Sequence, residues 1–298
     1  MANLKEVRDR IQSVISTQQI TKAMKLVSAS KLRRSQQAIQ QLRPYSQKLN
    51  EMLSNIVATV SEDDMDSAYS VVRENKKNVC IVVITSNRGL CGAYNSNVNK
   101  AAITAVTEKY STQYEAGNLT LLFIGKKGKD SLTKRLPKAK FITDYVELVG
   151  KEFSSQDSIP VAERLMEAFI NEEFDAIDIA YARFRNAAMQ EYEVEQFLPI
   201  AKAEVKEGSF SHDFIFEPEK SEFLSYLIPA VLKTQFHKTI LDSNASENGA
   251  RMTAMDKATD NAEDMLRDLR INYNKARQEA ITTELGEIVG GAAALEGS

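Results

Sequence analysis

The two ends of this chain constrain its fold more than anything between them. From Leu4 to Val60 apolar or small residues recur at alternating steps of three and four, and from about Ser221 to Leu295 the same period returns. A heptad seam is stable only when a facing helix buries it. The partner available within the chain is the seam at its other end, which predicts an antiparallel coiled coil. The stretch between follows the shorter alternation of an α/β domain, so a globular head is expected between the two arms. At 1.5 Å per residue, a last helix of roughly 70 residues would run about 105 Å and is expected to project beyond any ordinary domain. A rod with a head connects or transmits more readily than it catalyses.

In the first arm the seam runs through Leu4, Val7, Ile11, Val14, Gln18, Thr21, Lys25, Ser28, Leu32, Ser35, Ile39, Leu42, Ser46, Leu49, Leu53, Ile56 and Val60. It is polar or small from Gln18 to Ser28, where Ile20, Met24 and Val27 lie beside it and are expected to take over the packing. Pro44 removes a backbone donor and predicts a kink near Arg43. The second seam passes through Val231, Thr234, Lys238, Leu241, Ala245, Asn248, Met252, Met255, Thr259, Ala262, Leu266, Leu269, Tyr273, Ala276 and Ala280, then drifts to Leu285 and Ile288. Pro229 falls early in that arm, at a first turn or a kink.

The middle opens with Val79–Thr85, a continuous apolar run of the kind found in strands buried on both faces. Leu119–Ile124, Ala139–Ile142, Ala176–Arg183 and Glu193–Pro199 read as further strands. Helices are expected over Ala93–Tyr114, from the end of the Leu119–Ile124 run to about Arg135, and over Ile159–Asn171. Alternating strands and helices predict a mostly parallel, Rossmann-like sheet covered on both faces. The expected plan is an N-terminal coiled-coil helix over 1–60, an acidic linker over 61–75, the α/β head over 76–205 and a C-terminal coiled-coil helix over 206–298.

The net charge of −3 conceals an asymmetry. Residues 1–50 hold ten lysines and arginines against two acids, leaving 28 basic and 39 acidic residues beyond them. Such a basic arm suits an acidic partner, or is neutralised by the acidic C-terminal arm. No run reaches the roughly 18 apolar residues of a membrane span, and the N-terminus has neither the apolar core of a secretory signal nor the composition of a transit peptide. Cys80 and Cys91 form no metal-ligand pattern, and the two histidines, His212 and His237, stand alone. No catalytic constellation, cofactor or metal ion is implied.

Two glycine-bearing turns need weighing as nucleotide sites. Gly125-Lys126-Lys127-Gly128-Lys129-Asp130 follows a strand, but a phosphate loop needs four residues between its first Gly and the Gly-Lys pair, with Ser or Thr after the Lys. Asn87-Arg88-Gly89-Leu90-Cys91-Gly92 has GxxG spacing where a dinucleotide fingerprint has GxGxxG. Both read better as strand-to-helix turns. The tail Ile281–Leu295 is apolar, small and nearly uncharged past Glu287. It suits a close-fitting apolar sleeve, or packs on the N-terminal arm.

Three segments carry a resemblance over essentially the whole chain, in order and at the right separations. They are Ile20–Leu32 (ITKAMKLVSASKL), Thr85–Tyr94 (TSNRGLCGAY) and Tyr273–Leu295 (YNKARQEAITTELGEIVGGAAAL). Together they resemble the γ subunits of F-type ATP synthases. The resemblance implies a rotary central stalk, one copy per complex, whose coil threads an α3β3 hexamer and whose head meets the ε subunit and the membrane c ring. Proton flow turns the shaft, and ATP is made on β. It also implies β-subunit contacts at Met24, Lys25, Arg251, Arg277, Gln278, Thr282 and Glu284. Phe214 and Glu217 match the c-ring end, and Ile288, Val289 and Leu295 match a tip held in the sleeve.

The plastid form's extra cysteine-bearing loop is missing, so thiol regulation is not expected. The chain is expected to be bacterial, peripheral to the inner membrane on its cytoplasmic side. The competing reading is a stand-alone coiled-coil adaptor whose basic arm binds nucleic acid or acidic proteins. A third, nucleotide-dependent chemistry in the head, is opposed by the missing phosphate loop.

Overall fold

The computed structural model describes residues 4–59, 69–73, 76–150, 153–200 and 220–296. Its elements, in chain order, are α1 (Leu4–Thr59), β1 (Val79–Ile84), α2 (Tyr94–Glu108), α3 (Ser111–Glu115), β2 (Leu119–Ile124), α4 (Lys126–Arg135), β3 (Lys140–Ile142), α5 (Ser155–Ile170), β4 (Ala176–Phe184), β5 (Gln190–Leu198) and α6 (Lys220–Glu296). They form two compact units: one spans Ser28–Arg251, the other joins the chain up to Val27 with the chain from Met252.

The larger unit is built on a five-stranded sheet in the order β3-β2-β1-β4-β5. The first four strands are parallel, with Val79 opposite Leu119 and Ala176, and β5 closes the edge antiparallel to β4. Every residue of β1 and β2 is buried, which is why both strands read as apolar runs, broken only by Thr120. Alternate side chains divide between two cores. Val79, Ile81 and Val83 pack with Tyr94, Val98, Ala102 and Val106 of α2 and Leu132 of α4. Cys80, Val82 and Ile84 face the other way, against Val161, Leu165 and Phe169 of α5.

That second core holds a helix whose part the coiled-coil pattern did not reveal. Leu227, Ile228, Val231, Leu232, Phe236 and Ile240 of α6 are buried in it beside α5. The start of α6 therefore buries two stripes, one against the sheet and one along the seam. Leu32, Ser35, Ser46 and Leu49 of α1 and Leu241, Ala245 and Asn248 of α6 are all buried in this unit. Small residues at such positions let helix axes approach closely. Lys238, expected in the seam, is exposed, because the helix is turned to give its apolar side to the sheet. α1 continues through Pro44 as a single helix. Of the expected linker, residues 61–68 and 74–75 lie outside the described residues. Its described end is fastened to the head: Arg73 donates to the carbonyls of Phe169 and Phe174 and pairs with Asp175 at 3.2 Å.

In the smaller unit the two helices run antiparallel. Thr21 and Thr259 share a hydrogen bond of 2.9 Å, and one turn along Lys25 pairs with Asp256. Val7, Thr21, Met255, Ala262 and Leu266 are buried. Ile20 and Val27 do not take over the packing here; both are exposed, as is Leu26, while Met24 is half-buried. The polar seam residues close the gap themselves through the threonine pair and the ion pair. From Arg277 to Ala292, α6 is exposed all round.

Candidate functional site

In open α/β sheets ligands bind beyond the carboxyl ends of the strands, where the strand order reverses. Here the reversal lies between β1 and β4, and the chain itself fills it. Ser246 of α6 donates to the carbonyl of Ala182 at the end of β4 (3.0 Å), and the Tyr94 hydroxyl meets Ser243 at 2.8 Å. Gly249 lies so close to the β4–β5 turn that a Cβ would stand 3.2 Å from Ala187 Cα and O. One turn on, Arg251 pairs with Glu247 at 2.6 Å and donates to the carbonyls of Arg88 and Gly89 at 3.2 and 3.4 Å. Burial raises the Glu247 carboxyl above its ordinary range, and the Arg251 charge opposes that rise. α6 thus crosses the crevice from one face of the sheet to the other, with Phe236 in one core and Ala250 against the second.

The loop it touches, TSNRGLCGAY, is organised from within. Asn95 accepts from the Ser86 amide at 3.0 Å and donates to the buried Cys91 sulfur at 3.1 Å. Leu90 and Gly92 take positive φ values of 64° and 57° to make the turn. Cys91 is a packed core residue of this loop, and His237 lies elsewhere, bonded to Ser158 at 3.0 Å and stacked on Phe153.

The second glycine turn is closed in a similar way. A helix N-terminus attracts phosphate through its free N–H groups, but the first turn of α4 has its donors committed. Lys126 N–H goes to Asn87 Oδ1 (2.9 Å), Lys127 N–H to Ser86 O (3.0 Å) and Gly128 N–H to Thr85 Oγ1 (2.8 Å). Gly125, at φ 104°, brings the helix start against Thr85. The glycines serve this contact between the ends of β1 and β2.

The residues that resemblance assigned to outside contacts fall into three groups. Arg277, Gln278, Thr282 and Glu284 lie on the exposed stretch of α6, with the Thr282 hydroxyl returned to Gln278 O at 2.9 Å. Ile288 and Val289 are exposed there too, with Ile281 and Leu285, so these residues of the tail do not pack on the described part of α1 in this unit. The side chain of Leu295 and all of Phe214 and Glu217 lie outside the described residues. Met24 is half-buried and Lys25 is engaged with Asp256. Arg251 is spent within the larger unit. Its partner Glu247, four residues earlier, is the residue sequence reasoning missed; the i, i+4 spacing of opposite charges on a helix was the available signal.

A doubly covered sheet whose ligand crevice and glycine turn are filled by its own chain is built as a structural subunit, and the smaller unit leaves a long helical face exposed for others to meet. The ATP synthase family model matches residues 3–295. The chain is 50% identical over 298 residues to the ATP synthase gamma chain of Cytophaga hutchinsonii, covering 99% of each, and 49% identical to that of Flavobacterium johnsoniae over the full length of both. Its fold is shared with a chain in the mitochondrial ATP synthase of Euglena gracilis (TM-score 0.64, 20% identity, 98% and 94% of the two chains). It is shared also with one in the central stalk and c-ring structure of Tetrahymena thermophila (TM-score 0.56, 23% identity, 80% and 99%). The chain belongs to the ATP synthase γ chain family. That membership makes it a γ subunit of ATP synthase, a non-catalytic subunit of that complex. Among the described residues no helix is long and apolar enough to cross a membrane.

Proposed function

We propose that this chain is the rotating shaft of a bacterial, proton-driven ATP synthase, one copy per complex, peripheral to the cytoplasmic side of the inner membrane. The paired helices turn inside an α3β3 hexamer, and the head, with the ε subunit, rides on the c ring. Catalytic sites lie on β, and the shaft acts on them by favouring one β conformation over another as its faces pass. The working plan is helix 1–60, linker 61–75, head 76–205 and helix 206–298. Met24, Lys25, Arg251, Arg277, Gln278, Thr282 and Glu284 are the residues assigned to β. Phe214 and Glu217 serve the c-ring end, and Ile288, Val289 and Leu295 form the tip in the sleeve.

The observation that carries this reading is the terminal stretch of α6. It leaves Ile281, Leu285, Ile288 and Val289 exposed beside polar Arg277 and Gln278. Apolar residues clustered on an exposed helix in this way suit a surface that a partner covers. Combined replacement of Met24 by Lys and of Arg277 and Gln278 by Ala, in the assembled synthase, is expected to lower ATP-driven proton pumping by about tenfold, some 1.4 kcal/mol of coupling. Unchanged pumping would remove these residues from the interface. Failure of the wild-type chain to join α and β subunits, with steeply salt-dependent DNA binding instead, would favour the adaptor reading.

A further inference from the structure

The larger unit contains a cleft of about 630 Å3 between the middle of α1, the end of β4 and α6. That volume is in the range of small-molecule sites. At its wall stands Asp242, only 7% exposed. Its carboxylate makes no hydrogen bond or close ion pair with any described residue. A carboxylate recessed in the wall and open to the cleft offers its oxygens to a donor bound there.

The charged groups around it come from every element packed there. Lys238 shares α6 with Asp242, Arg183 approaches from β4, Glu193 and Glu195 from β5, and Arg43 lines the cleft from α1. Arg183 is already committed to Glu193 (2.7 Å) and Glu195 (3.5 Å), and Arg185 to Glu191 (2.8 Å). Arg43 and Lys238 are exposed and make no hydrogen bond or close ion pair with described residues. One recessed carboxylate and two uncommitted cations remain. A simple cation would be repelled by Arg43 and Lys238, and a simple anion by Asp242. Gln36, Gln40, Gln47 and Ser46 supply neutral hydrogen-bonding groups between them.

We propose that this cleft binds a small zwitterion, its ammonium group on Asp242 and its phosphate or carboxylate between Arg43 and Lys238. Nothing in the shaft function calls for such a site, so it would give the stalk a small-molecule input of its own. Burial, offset in part by Lys238 and Arg183, lifts the Asp242 carboxyl from 3.8 to about 6. Occupancy should therefore require pH above about 6, where the carboxylate is ionised.

The test is ligand-detected NMR titration of the full chain at pH 7.5 with four probes: O-phosphoethanolamine, glycine, ethylamine and inorganic phosphate. At least one zwitterion should saturate and bind at least about tenfold more tightly than either single-charge probe. Which zwitterion wins tells an amino phosphate from an amino acid. Asp242→Asn and Arg43→Gln should each weaken it by about tenfold, and lowering the pH to 5 should do the same to the wild type. Arg43 is exposed, so its replacement keeps the test open if the Asp242 variant folds poorly. No zwitterion binding below about 10 mM, or binding indifferent to both substitutions, overturns the proposal, as does phosphate binding as tightly as O-phosphoethanolamine.

Discussion

Gly125→Ala is expected to destabilise the α/β unit by about 3 kcal/mol or more, enough to take a large share of a typical domain's stability. The residue sits at φ 104°, ψ 137°, a region essentially closed to side chains and worth about 1–3 kcal/mol in backbone strain alone. An added Cβ would also lie 2.0 Å from Thr85 O and 2.6 Å from Thr85 C, which are backbone atoms and cannot rotate away. Relief would have to part β1 from the start of α4. That would break the bonds from Gly128 N–H to Thr85 Oγ1 and from Lys127 N–H to Ser86 O. The measurement is the denaturation midpoint at unchanged slope. Gly89→Ala is the control: a Cβ there meets nothing within 4 Å, and the change should stay within about 0.5 kcal/mol. Equal effects at the two glycines would refute the packing argument.

Arg251→Ala should cost about 3 kcal/mol at pH 8, because it leaves the Glu247 carboxylate nearly buried without its partner. The sign with pH follows from the same pair. Burial already raises the Glu247 pKa, and loss of the arginine raises it further, so the variant's deficit should be greatest at high pH. It should shrink as pH falls through the raised pKa and the group takes up a proton. Arg251→Ala combined with Glu247→Gln should recover part of the loss, since no unpaired charge is then buried. The unrecovered part measures the bonds to the carbonyls of Arg88 and Gly89. A loss independent of pH would show that those bonds, and not the ion pair, carry the effect.

Asp242 gives a third stability test with the opposite arithmetic. Its folded pKa lies above its unfolded value, so the folded state binds the extra proton. The stability this contributes is complete below about pH 4 and is lost as pH rises through about 6. Asp242→Asn should therefore raise the melting temperature at pH 8 relative to wild type, by an amount corresponding to as much as about 3 kcal/mol, with little difference at pH 4. A variant equally stable or less stable at pH 8 would mean that the carboxylate has a compensating partner.

Much of this architecture is legible in the residues because period and burial agree. The α1 seam, read by steps of three and four, is buried or half-buried at every position from Leu4 to Leu49. The strands appear as apolar runs because helices cover both faces of the sheet. What escaped was the use of one helix by two neighbours. Leu232, Phe236 and Ile240 form a second stripe beside the seam of α6, and a periodicity that seeks one seam treats the extra apolar residues as surplus. Ile20 and Val27 misled for a related reason: apolar side chains beside a polar seam look like substitutes for it. Threonine and a lysine–aspartate pair can close the seam themselves, and then the apolar neighbours stay outside. The cleft at Asp242 could not be read at all, since Arg43, Arg183 and Asp242 are distant in sequence and only the fold brings them to one place.

The threonine pair and the ion pair in the smaller unit have a mechanical consequence. An apolar heptad seam resists separation of its helices but distinguishes weakly between alignments seven residues apart, because each offers similar surface. Sliding α6 by one heptad would set the Thr21 hydroxyl against Met252 or Leu266 in place of Thr259. The hydroxyl–hydroxyl bond would have no counterpart in either displaced alignment. Polar residues at single seam positions specify alignment in this manner at some cost in stability. The threonine pair therefore acts as a key between two otherwise slippery surfaces: axial creep is opposed where the seam is least oily.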